Sequence, residues 1–417
     1  MPRPSGFSFG PYSPPMRRLF ILLIFSASAW AQDPVELLRR QFPAATLGPL
    51  NQQAFCWQDS SGASGAYRGD ATQRLASVTK LFTTLLALEA YRPEKTWTTT
   101  VYRLGTRVHI AGGMDPWFEE EKIFALIQAL KDQGVTRITE LTFDGAFVFT
   151  DTAQSQHTPA TFPLVQTALA RYFTANGAFG ATANQRRAAV LAFQKEEGID
   201  FPLPTSGIAT TRITPGHTNP LLNVPGVIVQ RHTSRTLVTI LKAMNIMSKN
   251  MVANMLWEQS RRVKDPATTI AGSYKFHNGS GLPVISGQTR LDNTATCQTI
   301  LTMLSTLESK IQARGLEIND VVGVGTDFGS YRERFLNDLN LKESIAAKTG
   351  TLKHTSSLAG WIEGENPVRF VILNHTTAST QARAWQDRFL SAWQNGTSRP
   401  RGYIRSSVYP VEGAFFD

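Results

Sequence analysis

The sequence has few cysteines and no cluster of metal ligands. These absences argue against a disulfide-rich protein and against a metal site. Its 417 residues include only two cysteines, Cys56 and Cys297, which excludes a disulfide framework but leaves room for one bond after export. The distance between their Cα atoms cannot be read from the sequence, so their pairing stays open. None of the seven histidines has another within three to five residues, and no Cys-x-x-Cys motif occurs. We therefore expect no metal ion and no other cofactor.

Runs of like charge and long apolar segments are absent too. Lysine and arginine give a net charge of +10 but are scattered along the chain, which argues against a nucleic acid partner. The apolar run over 19–25 is too short to anchor a chain stably in a bilayer. It follows the basic residues Arg17 and Arg18 and precedes an Ala-Trp-Ala sequence at 29–31, which is the order of a secretory signal.

We expect cleavage near Ala31 to remove residues 1–31 and to leave an exported protein, periplasmic or secreted. The alternative is a disordered tail followed by a membrane helix. Cleavage lowers the net charge from +10 to +7, because the removed segment carries three arginines and no acidic residue. That charge suits anionic polymers, or a peripheral contact with a membrane surface.

The order of helix and strand patterns predicts two domains. Residues 97–143 alternate strand, helix and strand, as in a small α/β module. Residues 202–225 are rich in proline and threonine and are typical of a long loop. Near the end, three β-like runs between 344 and 374 and a helix over 380–393 indicate an antiparallel meander covered on one face.

We therefore predict an α+β fold in two parts. Residues 32–96 and 228–417 would form the larger domain, an antiparallel sheet flanked by helices. Residues 97–227 would form a smaller inserted α/β domain.

Residues 77–80, Ser-Val-Thr-Lys, stand at the start of an apolar helical pattern. A serine hydroxyl is a weak nucleophile at neutral pH, and a lysine three residues further on lies on the same helical face as a potential base. The unpaired N–H groups at a helix start favour developing negative charge. Taken alone, the pattern is more typical of a capping serine beside a solvated lysine.

Two later motifs change that interpretation. Ser248-Lys249-Asn250 lies in the break between two helical patterns, and residues 348–351, Lys-Thr-Gly-Thr, lie on the first strand of the meander. The order Ser-x-x-Lys, Ser-x-Asn, Lys-Thr-Gly resembles the motif set of penicillin-binding proteins and serine β-lactamases. A helix cap and a solvated strand lysine are the alternatives for the single motifs, but the three in this order are uncommon.

The chemistry of that motif set explains these residue types. Ser77 would attack a peptide carbonyl while Lys80 takes its proton, provided that burial and nearby cations lower the pKa of the lysine. Ser248 would relay a proton to the leaving amine. The backbone N–H groups of Ser77 and Thr351 would form an oxyanion hole.

The other motif residues would bind substrate. The Asn250 amide can donate to a substrate carbonyl and accept from the lysine of the first motif. Lys348 would disfavour a charged base and attract a substrate carboxylate, which the hydroxyls of Thr349 and Thr351 would also hold. Gly350 would leave room for a peptide laid along the strand.

From about residue 54 to residue 374 the chain resembles the D-alanyl-D-alanine carboxypeptidase/endopeptidase group of low-molecular-mass class C penicillin-binding proteins. Besides the three motifs, the likeness is carried by residues 112–116 (Gly-Gly-Met-Asp-Pro), 278–282 (Asn-Gly-Ser-Gly-Leu), 324–334 and 358–360 (Leu-Ala-Gly). It implies a serine β-lactamase/DD-peptidase-like fold with an inserted domain. Lys249 and Asn278 depart from the family, which usually has aspartate at both positions.

The inserted domain is the part of the chain that differs most from the longer members of the family. Only about 170 residues separate Ser77 from Ser248, so the third domain that longer members nest inside the second would be absent or reduced to helices near 164–197. In the family an acidic residue of the insert can receive the amino group of a diaminopimelate side chain, and Asp144 stands in the comparable place. A turn aspartate at a strand end explains Asp144 equally well.

The resemblance implies hydrolysis of peptidoglycan stem peptides through an acyl-serine intermediate. The bonds would be those of terminal D-Ala-D-Ala, of D-Ala cross-links, or both, and β-lactam antibiotics would be covalent inhibitors. A serine β-lactamase is the nearest alternative, although the Glu-x-x-Leu-Asn element of class A enzymes is missing. A catalytically silent, secreted wall-binding protein is the other alternative, and the presence of all the catalytic residues argues against it.

Overall fold

The structure is a computed structural model that describes residues 33–149, 161–197, 201–216, 218–327 and 329–394. The predicted signal segment, residues 1–31, lies outside the described residues. Across the described ranges, no helix has both the length and the apolar character that crossing a membrane requires.

The described residues form α-helices of very different length, and two of the longest cover the first sheet described below. Their bounds are α1 Pro34–Gln41, α2 Ala44–Leu47, α3 Thr79–Ala90, α4 Glu120–Asp132, α5 Phe162–Leu169, α6 Ala181–Glu197, α7 Leu237–Met247, α8 Asn250–Ser260, α9 Pro266–Thr269, α10 Cys297–Ala313, α11 Ile318–Val321, α12 Leu339–Ser344 and α13 Ser379–Gln394.

The strands are mostly short, and the longest lie near the C-terminus. Their bounds are β1 Ala54–Asp59, β2 Ser64–Tyr67, β3 Thr72–Arg74, β4 Thr98–Leu104, β5 Arg107–Ala111, β6 Arg137–Ile138, β7 Glu140–Phe143, β8 Ala209–Thr210, β9 Ile213–Pro215, β10 Ile228–Thr233, β11 Tyr274–Lys275, β12 Val284–Ser286, β13 Thr289–Leu291, β14 Thr294–Thr296, β15 Ile345–Leu352, β16 Thr355–Ile362 and β17 Val368–Asn374.

The first sheet is antiparallel and has the strand order β15-β16-β17-β1-β2. Its three C-terminal strands are the predicted meander, and α13 is the predicted covering helix. Phe55, Phe370 and Trp385 belong to an apolar core between this sheet and helices α1 and α13. The opposite face packs on α3, α7 and α10. The predicted α+β arrangement, an antiparallel sheet flanked by helices, is confirmed.

A disulfide bond joins the middle of this sheet to α10. Cys56 on β1 is bonded to Cys297, the first residue of α10, with 6.0 Å between the Cα atoms. That spacing is within the usual range for a disulfide. The pairing that the sequence left open is therefore present in the fold.

The second sheet has the order β10-β4-β5-β7-β9. Strands β5, β7 and β9 are parallel, and α4 makes the crossover from β5 to β7 that parallel pairing requires. Ile123, Phe124 and Ile127 of α4 are buried in the core beside this sheet. β10 begins at Ile228, the first residue that the predicted division places outside the insert, and it pairs with β4 inside it.

The segment predicted as a long loop, residues 202–225, contains two short strands instead. β8 pairs with β6, and β9 pairs with β7 at the edge of the second sheet. Pro215 ends β9, and a proline is tolerated there because an edge strand leaves one side of its backbone unpaired. The prediction was wrong because strands of two or three residues have no periodicity to detect.

Helix α3 is buried on every side. Its residues from Thr79 to Leu88 are all buried, including the threonines and Lys80. It packs against α7, α8 and α10, so over these residues it has no solvent-facing stripe, and its polar side chains are buried together with the apolar ones. This position places the N-terminus of α3 at the junction of the helices with β15.

Candidate active site

Ser77 lies in a tight turn that precedes α3. Residues Ala76–Val78 form one turn of 3₁₀ helix, and the α-helix proper begins at Thr79. Ala76 has a φ of 50°, which is unfavourable for a residue with a Cβ and costs on the order of 1 kcal/mol. The flanking residues Ala76 and Val78 are buried, whereas Ser77 is partly exposed. The strained turn thus exposes Ser77 in a segment whose other residues are buried.

The strained turn is held by a glycine from another segment. Gly281 has a φ of +80°, and a Cβ at this position would lie 1.8 Å from the carbonyl oxygen of Ala76. Only glycine can therefore occupy position 281 while Ala76 keeps its conformation.

Lys80 is completely buried and its ammonium donates three hydrogen bonds. The acceptors are Ser77 Oγ at 2.9 Å, Asn250 Oδ1 at 2.7 Å and the carbonyl oxygen of Ser280 at 2.9 Å. Burial lowers the pKa of Lys80 well below its usual value, and the charge of Lys348 lowers it further. The environment therefore favours the neutral amine, which is the form that can act as a base.

The three acceptors also orient that base. A neutral lysine amine has two N–H donors and one lone pair. Asn250 Oδ1 and the Ser280 carbonyl can only accept, so they take the two N–H groups. The lone pair is then left for Ser77, whose hydroxyl can donate to it. The geometry predicts proton transfer from Ser77 to Lys80.

The Ser280 carbonyl is positioned by the loop over residues 278–282, which lies outside the three motifs. Asn278 Oδ1 accepts from the backbone N–H groups of Ser280 at 3.1 Å and Gly281 at 2.8 Å, and its Nδ2 donates to the carbonyl of Leu282 at 2.6 Å. Asn254 Oδ1 of α8 also accepts from Ser280 N, at 2.9 Å. Asparagine can make the Nδ2 bond, which an ionised aspartate could not. Residues 278–282, which carry part of the resemblance to the family, were the available signal, but a backbone acceptor has no side-chain signature.

The second motif occupies the junction of α7 and α8. Ser248 ends α7 with a left-handed backbone, φ 55° and ψ 38°, and Asn250 begins α8. Such a conformation in a serine is a local strain that the surrounding structure must maintain. Lys249, between them, forms an ion pair with Glu119. The Oδ1 atom of Asn250 accepts from Lys80 at 2.7 Å, the contact that the sequence predicts.

The third motif lies on β15, at the edge of the first sheet. Lys348 is completely buried, its ammonium donates to the carbonyl of Thr349 at 2.9 Å, and burial lowers its pKa to about 7. Thr349 is partly exposed and Thr351 is exposed. The charge of Lys348 acts on Lys80, so two buried lysines of lowered pKa lie near each other, and the neighbouring residues Thr349 and Thr351 are accessible to solvent.

Gly350 is required for packing, not only for substrate access. A Cβ at this position would lie 2.2 Å from Ser357 Oγ and 2.6 Å from the carbonyl oxygen of Leu75. Ser357 Oγ donates to that same carbonyl at 2.6 Å, which ties β16 to the segment before the nucleophile. The sequence predicts that Gly350 leaves room for a substrate peptide. On this side of the strand, the protein's own atoms at Leu75 and Ser357 occupy that room.

Asp144 is held in a turn at the end of β7. Its Oδ1 accepts from the backbone N–H groups of Gly112 at 3.0 Å, Ala146 at 3.0 Å and Phe147 at 2.9 Å. This is the geometry of the turn aspartate that was the alternative prediction. A role for Asp144 in binding a substrate amine stays a prediction.

The turn beside Asp144 is connected to the second motif. The carbonyl of Met114, two residues after Gly112, accepts from Gln259 Nε2 of α8 at 2.7 Å. Two adjacent glycines allow this turn to pass close to its neighbours, because a Cβ on Gly113 would lie 2.2 Å from the carbonyl oxygen of Thr98. The insert therefore contacts the helix that carries Asn250.

Three consecutive glutamates, residues 119–121, lie with carboxylate oxygens within 4.8 Å of one another. Side-chain cations already pair with two of them, Lys249 with Glu119 and Arg186 with Glu120. Glu121 is partly buried beside the other two carboxylates, and desolvation followed by their charges raises its pKa to about 7. The group is thus balanced by the protein's own cations.

Comparison with protein families gives one match over most of the chain. The model of the D-Ala-D-Ala carboxypeptidase 3 (S13) family matches residues 51–170 and 203–394. All three motifs lie within those ranges. No curated protein sequence matches the chain.

Several solved structures share the fold. The Bd0816 predatory endopeptidase from Bdellovibrio bacteriovorus, in complex with immunity protein Bd3460, is 24% identical with a TM-score of 0.72, and the match covers 87% of this chain and 99% of that one. Penicillin G acylated Bd3459 predatory endopeptidase from the same organism is 22% identical with a TM-score of 0.68, covering 87% and 98%. Penicillin-binding protein 4 from Haemophilus influenzae is 18% identical with a TM-score of 0.54, covering 88% and 99%. These likenesses show a serine hydrolase fold of the penicillin-binding protein type.

Proposed function

The chain belongs to the D-Ala-D-Ala carboxypeptidase 3 (S13) family and is a serine-type peptidase, and from this premise we propose that it hydrolyses D-alanyl peptide bonds of peptidoglycan with Ser77 as the nucleophile. The observation that carries the proposal is the contact between Ser77 Oγ and a buried Lys80 whose other two hydrogen bonds go to obligate acceptors. An inert capping serine would need no buried lysine beside it.

Acylation begins with proton transfer from Ser77 to Lys80. The Ser77 oxygen forms a bond to the carbonyl carbon, and the negative charge that develops on the carbonyl oxygen faces the backbone N–H groups of Ser77 and Thr351. One such donor is typically worth about 2.7–4 kcal/mol. When the intermediate collapses, the C–N bond breaks and the leaving amine takes a proton by way of Ser248. The products of this step are an acyl-serine ester and a free amine.

Deacylation repeats the chemistry with water. Water adds to the ester carbonyl while Lys80 accepts one of its protons, and the serine oxygen leaves and is protonated again. The net reaction is hydrolysis of one peptide bond, and Ser77 is regenerated. No cofactor takes part in this scheme.

The third motif would hold the substrate. Lys348 is positively charged when protonated, and the hydroxyls of Thr349 and Thr351 are accessible beside it. A substrate carboxylate on the amine side of the scissile bond would bind there. Asn250 would bind a substrate carbonyl, and Asp144 would receive a substrate amino group through its second carboxylate oxygen, since Oδ1 is engaged in the turn.

The substrate class implies a place of action. Peptidoglycan lies outside the cytoplasmic membrane, so the protein would be exported, to the periplasm or beyond, after cleavage near Ala31. Stem peptides ending in D-Ala-D-Ala and D-Ala cross-links are the proposed substrates. β-Lactams, which resemble D-Ala-D-Ala, would acylate Ser77, as penicillin G acylates Bd3459.

The test is labelling of the purified protein with a fluorescent penicillin. We expect a stable covalent label on the unmodified protein and none on Ser77→Ala. Ser61→Ala, which removes an exposed turn hydroxyl, is the matched control and should label normally. Absence of label on the unmodified protein would refute the acyl-serine mechanism. Label that is lost within seconds would instead indicate a β-lactamase.

A further inference from the structure

Arg383 of α13 contacts the last residue of the third motif. Its Nη2 donates to Thr351 Oγ1 at 2.8 Å. The body of α13 packs against the far face of the first sheet, through residues such as Trp385 and Phe389. The arginine side chain therefore reaches from that helix to the hydroxyl beside which a substrate carboxylate would bind.

The same arginine lines a groove. A cavity of about 710 Å³ lies between residues 329–338 and α13, and Arg332, Arg334 and Arg388 line it together with Arg383. The groove is also connected to the second motif, because Ser330 Oγ donates to the carbonyl of Ile246 at 2.7 Å, two residues before Ser248. The groove itself contains no motif residue, and it is linked by one hydrogen bond to α7, two residues before Ser248, and by another to Thr351 of the third motif.

The residues that line the groove carry an excess of one positive charge, with four arginines and three acidic residues. Two of its three acidic residues already have partners within the protein: Asp387 pairs with Arg334 at 2.6 Å, and Asp338 Oδ1 accepts from the backbone at the start of α12 at 3.0 Å. Burial lowers the pKa of the Arg383 guanidinium, and repulsion by Arg334 lowers it further, although Glu333 opposes this. Guanidinium groups that repel one another are stabilised by a bound carboxylate.

We propose that this groove binds the leaving strand of a peptide cross-link, a peptide that carries carboxylates beyond the scissile bond. This inference rests on the proposed function. A carboxypeptidase releases a single D-alanine, whose carboxylate would be bound at the third motif. The leaving amine of a cross-link belongs to the side chain of a second stem peptide, and that peptide continues past Thr351. The volume of the groove is in the range that binds a small peptide.

The geometry therefore assigns Arg383 and Arg388 to substrate choice and not to the chemical step. The bond that forms, Ser77 Oγ to carbon, and the bond that breaks, carbon to nitrogen, are the same for both substrates. The two substrates differ in what is attached to the leaving nitrogen. A groove that binds only the longer leaving group lowers KM for cross-linked peptides and leaves the pentapeptide reaction unaffected.

The experiment compares two substrates on the full-length protein. One is a pentapeptide ending in D-Ala-D-Ala, and the other is a D-Ala cross-linked dimer of stem peptides. Arg388→Ala and Arg383→Ala are measured against Arg39→Ala, which removes the same charge from an exposed position on α1. Fluorescent penicillin labelling of every variant reports an intact Ser77 site, and Arg383→Lys preserves the charge without the forked donors.

We expect Arg388→Ala to raise KM for the dimer about three- to tenfold, and KM for the pentapeptide less than twofold. Arg383→Ala also removes the donor to Thr351 Oγ1, so we expect it to raise KM for both substrates, and more for the dimer than for the pentapeptide. The effect on the dimer should shrink at high salt, since it comes from exposed charges. Equal losses on both substrates would show that Arg383 only positions Thr351 and would overturn the proposal. So would unchanged KM for the dimer, or a wild-type protein that cleaves only the pentapeptide. Failure of the proposed function is a separate result, because then the wild type takes no penicillin label.

Discussion

The Lys249 ammonium forms an ion pair with the Glu119 carboxylate, and this pair joins the second motif to the inserted α/β region. The Glu119 side chain is 4% exposed and that of Lys249 is 22% exposed. Burial alone would lower the pKa of Lys249, but Glu119 and Glu121 overcome that effect and raise the pKa above its usual value. The lysine that stands in place of the family's aspartate thus has a partner of its own, one residue from both Ser248 and Asn250.

Reversing the charge at position 249 should impair both stability and acylation. In Lys249→Asp the new carboxylate faces Glu119, so we expect a loss of about 2 kcal/mol in the free energy of unfolding. The displaced Asn250 should slow penicillin acylation about tenfold or more. Urea unfolding and labelling rates measure the two effects.

The double variant Lys249→Asp, Glu119→Lys is the decisive control. It restores opposite charges with exchanged positions, and we expect it to recover a large part of both losses. If the double variant labels no faster than Lys249→Asp alone, the ion pair does not position the second motif.

The rate of acylation should pass through a maximum as pH rises. Lys80 must be neutral to accept the proton from Ser77, so the rate rises as pH rises through its lowered pKa. Lys348 must be charged to bind a carboxylate, so the rate falls as pH rises above its pKa of about 7. The second-order rate constant for penicillin acylation, measured from pH 5 to pH 9, should therefore have a maximum.

The Lys348→Arg variant separates the two limbs of that profile. Arginine keeps its charge throughout the range, so the decrease above neutral pH should disappear while the rise at lower pH remains. A profile that still falls at high pH in this variant would assign the alkaline limb to another group.

Glu121→Gln should stabilise the protein at alkaline pH and leave it unchanged in acid. The pKa of Glu121 is raised from 4.5 to about 7, so its stabilising contribution is fully present below 4.5 and is lost as pH rises through 7. Glutamine does not ionise, and we expect the variant to be about 1–3 kcal/mol more stable than wild type at pH 8. Thermal or urea unfolding at pH 4.5 and pH 8 tests this, with exposed Glu36→Gln as the control. The prediction would be contradicted if Glu121→Gln and the wild type had equal free energies of unfolding at both pH values.

Gly350→Ala should disable the site through packing. The added Cβ would meet Ser357 Oγ and the Leu75 carbonyl, and the backbone carbonyl cannot move without shifting Ser77. We expect a loss of about 1–3 kcal/mol in stability and little penicillin labelling. Gly180→Ala is the matched control, since nothing lies within 4 Å of its Cβ. Normal labelling of Gly350→Ala would show that the turn before Ser77 tolerates displacement.

Much of the fold could be predicted because its signals are local. The terminal meander and α13 have clear hydrophobic periods. Three long strands joined by two short turns are expected to pair as antiparallel neighbours in sequence order, and they do. The short strands β8 and β9 could not be predicted, because each is stabilised only by its neighbour in the folded sheet. The Cys56–Cys297 bond was equally hidden, since 241 residues separate the two cysteines.

For the site, the sequence by itself determined which reactive groups are available and in what order. A serine nucleophile needs a base nearby, and serine with lysine three residues later can be recognised without a fold once the other two motifs follow in order. Only the tertiary structure decided what those groups contact. The Ser280 carbonyl that orients Lys80, the Glu119 that pairs with Lys249, and the Arg383 beside Thr351 all come from distant segments. A backbone carbonyl is the same in every residue, and a surface arginine has no motif. Their roles exist only because folding brings them within hydrogen-bonding distance, and for the buried Ser280 carbonyl because packing also excludes water.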